Sequence, residues 1–85
     1  MKGFKVAQEN EAMRDLTSHG LFYCITCWDG EIRLQGHIND KTLSIVDKYL
    51  KSKGEKVTYD NESKWMSAST VEDGVHVEIT LTLEA

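Results

Sequence analysis

Eighty-five residues make one domain with a small core, in which every large apolar side chain weighs on stability. A hydrophobic share of 40% beside 28% charged residues excludes a disordered chain, and a formal charge of −4 disfavours general binding to a polyanion. Apolar runs are too short to span a bilayer, and the amino-terminal MKGFKVAQENE lacks the apolar stretch of a secretion signal, so the expected setting is the cytoplasm.

The first segment is equivocal, because Phe4 and Val6 alternate like a strand while Val6, Met13 and Leu16 also line one side of a helix. The spacing favours a short helix from about Glu9 to Thr17. Gly20 supplies the left-handed residue that closes such a helix, and His19 then faces its carboxyl end.

Leu21 to Ile38, LFYCITCWDGEIRLQGHI, predicts a β-hairpin about Asp29-Gly30, a pair suited to a type I′ turn with positive φ at both central residues. A two-residue turn sets Cys27 opposite Ile32, Ile25 opposite Leu34, Tyr23 opposite Gly36 and Leu21 opposite Ile38. One face is then apolar: Leu21, Tyr23, Ile25, Cys27, Ile32, Leu34 and Ile38. The other carries Phe22, Cys24, Thr26 and Trp28 against Glu31, Arg33, Gln35 and His37. Cys24 and Cys27 have CxxC spacing, but three residues along a strand place them on opposite faces about 10 Å apart, at about 3.3 Å per residue. Such thiols cannot bridge, and the mid-strand context is not that of a redox motif. Two free thiols fit a reducing compartment.

A helix follows over about Asp40 to Lys53, with Asn39 as its amino-terminal cap and Gly54 past its end. Ile38 and Leu43 have the spacing of a hydrophobic staple, and Leu43, Val46 and Leu50, with Tyr49 at the margin, form its buried stripe. Val57 to Asp60 is either a short strand or an extended connection. Lys64 to Thr70 and Val75 to Leu83 form a second hairpin around Glu72, Asp73 and Gly74. A two-residue Asp73-Gly74 turn pairs Met66 with Leu81 and Ala68 with Ile79 and leaves Trp65 and Val71 on the outer face; a three-residue turn reverses this. The first sets apolar residues against apolar ones.

The expected architecture is α+β: an antiparallel sheet of four or five strands from two hairpins, in the order α-β-β-α-β-β, with the 40–53 helix on one face and a short amino-terminal helix beside it. Residues 1–85 form a single domain.

Motifs of catalysis are missing: the chain has no glycine-rich phosphate loop, GxSxG elbow or HExxH. Cys24 beside His37 is the best candidate for thiol or metal chemistry, yet two ligands fall short of a zinc site. No cofactor is expected. Phe22, Trp28, Arg33, His37 and Trp65 are the residue types that stack on single-stranded nucleic acid, but seven acidic and two basic residues over positions 55–85 oppose a polyanion. The same residues, with Cys24, suit a protein interface, since aromatic and arginine side chains dominate binding hot spots. The chain therefore reads as a small, non-enzymatic binding or regulatory module. It would act through the aromatic sheet face and the acidic final hairpin. Its partner would be another protein or a second copy, meeting sheet faces or the edge of the final strand. Small size and acidity also suit an inhibitor carried by a phage or mobile element.

Overall fold

The computed structural model of the chain describes residues 2–54, 58–61 and 65–83. Two short helices open it, α1 over Lys2–Glu9 and α2 over Glu11–Thr17, in place of the single helix predicted from about Glu9. The break lies at Asn10, whose extended backbone leaves the helical region and whose side chain accepts the Met13 N–H at 3.0 Å. Asparagine competes with the helix for its own backbone groups, which favours a cap over an interior position.

Gly20, with φ +68°, turns the chain into β1, Phe22–Cys27, and β2, Glu31–His37, follows as its antiparallel neighbour. Helix α3, Asp40–Lys51, is capped by Asn39, whose side chain accepts the Thr42 N–H at 2.9 Å. The predicted cap holds, while the helix ends before Lys53, with Ser52 at its close and left-handed Gly54 beyond. The buried residues of α3 are Thr42, Val46, Tyr49 and Leu50, with Leu43 at the margin, so the stripe is rotated from the predicted one. Among the described residues no helix is long and apolar enough to cross a membrane.

Three strands complete the chain: β3 over Thr58–Asn61, β4 over Trp65–Glu72 and β5 over Val75–Thr82. The predicted strand positions Val57 and Lys64 lie outside the described residues. The five strands run in the order β1-β2-β5-β4-β3. All neighbours are antiparallel except β2 and β5, which are parallel, so the sheet is mixed and not the antiparallel one expected. The reason lies in the count of reversals. Helix α3 carries the chain back to the end where β2 began, and the three-stranded meander that follows makes its third strand run with β2. Were 58–61 a mere connection, the last strand would run the other way.

This topology makes β5 the central strand, flanked by β2 and β4 over its whole length. The edge that the sequence assigned to the final strand therefore belongs to β1 and β3. Centrality explains the clean alternation of β5, whose Val75, Val77, Ile79 and Leu81 are buried together with Ile32 and Leu34 of β2. Met13, Leu16, Val46 and Leu50 from the helices close over them in one core. Burying each such aliphatic side chain contributes about 1.5–3 kcal/mol.

The second hairpin has the two-residue register, with Met66 opposite Leu81 and Ala68 opposite Ile79. Its central residues Asp73 and Gly74 have φ of 49° and 79°, as a type I′ turn requires. The first hairpin does not: neither Asp29 nor Gly30 has positive φ. Tertiary contacts hold that turn instead. The Lys2 N–H donates to Asp29 Oδ1 at 3.1 Å, and the His76 N–H donates to the Gly30 carbonyl at 3.0 Å. Helix α1 crosses the hairpin so closely that a Cβ on Gly3 would stand 1.9 Å from the Trp28 carbonyl oxygen.

The pairs Ile25–Leu34 and Cys27–Ile32 stand as predicted, but the register shifts between Phe22 and Cys24. Phe22, not Tyr23, lies opposite Gly36 and packs against the core. A Cβ on Gly36 would come within 3.3 Å of the Phe22 ring and 2.9 Å of the Leu21 carbonyl oxygen, so glycine makes room for this exchange. On the helix side the core takes in Phe22 and Cys27 of this edge strand but leaves Ile25 45% exposed, while Tyr23, 58% exposed, lies beside His37 instead of on the predicted apolar face.

Candidate functional site: the open sheet face

Alternation along each strand sends one set of side chains toward the helices and the other set to the opposite side. On that opposite side stand Cys24 and Thr26 of β1, Arg33, Gln35 and His37 of β2, Glu78, Thr80 and Thr82 of β5, and Trp65, Ser67, Ser69 and Val71 of β4. None of the described helices covers it, and Arg33, Gln35, Val71 and His76 are exposed.

At the end nearest the first turn, the Arg33 guanidinium lies 5.2 Å from the centre of the Trp28 ring, which is itself 45% exposed. A cation above an aromatic face holds both in place. Glu31 grips the same guanidinium through Nε, and the pairing raises the Arg33 pKa further above its already high value, with Glu78 adding to it. Glu78 lies beside Arg33 across the parallel ladder and 3.9 Å from His76 Nε2. The result is a rim of alternating charge around one large indole.

The far end is different. His37, Thr82 and Trp65 follow one another across β2, β5 and β4. The centre between the two ends is small and polar, set by Thr80, Ser67 and Ser69. Trp28 flanks the start of β2 and Trp65 shares the row of its last residue, a separation along the strands of about 20 Å at about 3.3 Å per residue. The face therefore presents two aromatic stations separated by hydroxyls, not one continuous aromatic platform.

Of the predicted site residues, Trp28, Arg33, His37, Trp65 and Cys24 occupy this face, whereas Phe22 is turned into the core by the shift at Tyr23. Sequence alternation alone cannot show a one-residue shift, which exchanges faces for everything beyond it. Cys24 contacts Thr26 Oγ1 at 3.7 Å, and the His37 ring lies 4.8 Å from that of Tyr23, so the described contacts of each lead away from a Cys–His pair. Both cysteines are free, with Cys27 on the core side, where burial pushes its thiol pKa up and disfavours the thiolate. Among the described residues no three metal-ligating side chains converge.

The acidic final hairpin divides. Glu72 is 5% exposed and faces the helices, where it accepts the Tyr49 hydroxyl at 2.8 Å and an Asn10 amide hydrogen at 3.1 Å and pairs with Lys53. Asp73 accepts the other Asn10 amide hydrogen at 2.9 Å. These two acids are spent on joining the α1–α2 junction, the end of α3 and the β4–β5 turn. Burial, followed by the bond to Glu72, pushes the Tyr49 phenol well above its ordinary pKa. The sequence reading missed this cluster, since a glutamate beside an Asp-Gly turn looks solvent-facing. The available signal was strand parity, which puts Glu72 on the same face as Ala68 and Thr70.

No protein-family model, curated protein or solved structure matches this chain.

Proposed function

We propose that the chain is a small non-enzymatic binding or regulatory module that docks another protein on its open sheet face. The observation that carries this reading is the asymmetry of the sheet: three helices bury one side, and the other offers Trp28 over Arg33 at one end and Trp65 at the other. Tryptophan and arginine supply most of the binding energy at protein interfaces, while hydroxyl-bearing residues between them accept close approach at little steric cost. The acidic contribution of the final hairpin to docking rests on Glu78, because Glu72 and Asp73 are engaged within the chain. Glu78 and Glu31 beside Arg33 favour a partner with basic groups at that rim.

The test is affinity capture from source cells with the wild-type chain and with Arg33→Glu, which leaves the core untouched. A protein held by the wild type and lost with the variant is the expected outcome. Equal retention by both, or retention of nothing, contradicts the reading. Single-stranded oligonucleotides titrated at low salt are expected to leave the fluorescence of Trp28 and Trp65 unchanged; quenching would favour a nucleic-acid platform instead.

A further inference from the structure

We infer that the outer edge of β1 is a self-association surface, through which two copies of the chain pair antiparallel about a two-fold axis to form one continuous sheet. This edge lies in the plane of the sheet, and the inference does not rest on the docking role of the open face. Which backbone groups it offers follows from the hairpin. Trp28 donates its N–H to the Glu31 carbonyl at 2.7 Å, so Trp28 and Glu31 are a hydrogen-bonded pair. Such pairs alternate with non-bonded ones in an antiparallel ladder. Thr26 and Cys24 therefore also bond toward β2, whereas Ile25 and Cys27 aim their N–H and C=O groups outward, where β1 has no neighbour among the described residues.

The occupant is selected by charge and symmetry. The strand FYCITC holds no aspartate, glutamate, lysine, arginine or histidine within a chain of net charge −4, so two copies meet along it with no like charges set directly opposite each other. The opposite edge, β3, carries Asp60 and lacks this property. An uncharged strand also gives a charged foreign segment nothing to recognise. Edges are ordinarily blunted by lysine, proline, an inward charge or a bulge, and β1 has none of these over residues 24–27, its one irregularity lying at Tyr23. Antiparallel pairing keeps the helices of both copies on one side, where the exposed Ile25 of one copy meets that of the other, while Tyr23, beside His37, lies on the far side. The two open faces then merge on the far side. The contact is limited to one strand and its side chains, below the roughly 1,200 Å² of stable complexes. Its dissociation constant is accordingly expected in the range of about 10 µM to 1 mM.

Sedimentation equilibrium across that range tests the proposal. The wild type is expected to rise from its monomer mass of 9.7 kDa toward twice that value. Ile25→Lys should remain monomeric throughout, and Val71→Lys, on the open face and three strands away, should dimerise like the wild type. A measurement on the wild type alone stands beside it: amide exchange at Ile25 and Cys27 should slow with concentration, while Trp28, already bonded to Glu31, should not change. A wild type that stays monomeric at about 1 mM, an Ile25→Lys chain that dimerises as well as wild type, or Ile25 and Cys27 amides indifferent to concentration would each overturn it.

Discussion

Glu72 joins parts of the chain that are distant in sequence, and the cost of disturbing it follows from its burial. A carboxylate in this position is tolerable because Tyr49, Lys53 and Asn10 surround it. Tyr49→Phe removes one donor from an oxygen that Lys53 still pairs with, so a loss of about 0.5–1.5 kcal/mol, the size of one hydrogen bond, is expected in denaturant unfolding. A change below the error of the measurement would show that the cluster is merely permissive. The same bond sets an alkaline limit. The folded Tyr49 phenol ionises above the unfolded value of 10.0. Its contribution is therefore whole below about pH 10 and falls away as pH rises further, because the unfolded chain gives up that proton first. Stability measured from about pH 8 to 12 should decline at the alkaline end in the wild type, and less so in Tyr49→Phe. Gly3 is the other residue with a single strict demand. Gly3→Ala sets a methyl group against the Trp28 carbonyl and should lift α1 from the hairpin.

At the level of elements, the two Asp-Gly turns show that one dipeptide serves two conformations. Gly74 has φ 79° and its Cβ position lies 2.9 Å from Lys2 Nζ, whereas Gly30 has ordinary φ and open space around it. Gly74→Ala should cost about 1 kcal/mol or more and Gly30→Ala should be close to neutral; equal effects on the unfolding midpoint would contradict this account of the turns. Much of the architecture was legible from such local signals. The Asn39 cap, the Asp73-Gly74 register and the buried side of β5 follow from turn chemistry and period-two alternation. The parallel pairing of β2 with β5 did not, because hairpins define neighbours within themselves and say nothing of how they meet. Its determinant was whether 58–61 is a strand, in a stretch whose pattern is too short to decide. Phe22 was misplaced for a related reason: the shift at Tyr23 is accommodated by Gly36 across the ladder, and nothing in β1 itself announces it.

Taken as a whole, the molecule is a one-sided sheet. Three described helices close a core against one side of the sheet, leaving the other side open and, among the described residues, an unpaired strand without acidic or basic residues at one edge. Trp28, Arg33 and Trp65 are placed on that face by strand parity, which is why their shared face, though not a role for it, was visible in the sequence. Their division into two stations was not visible, since it depends on the strand order. The most direct measurement of the proposed role is site-specific photo-cross-linking in source cells. A probe replaces Gln35 at the centre of the open face in one chain and Lys48 on the outer side of α3 in another. Adducts to a different protein from the Gln35 probe, with none from the Lys48 probe, are the expected result. Adducts from Lys48 alone, or from neither position, would contradict the assignment of the open face as the docking surface.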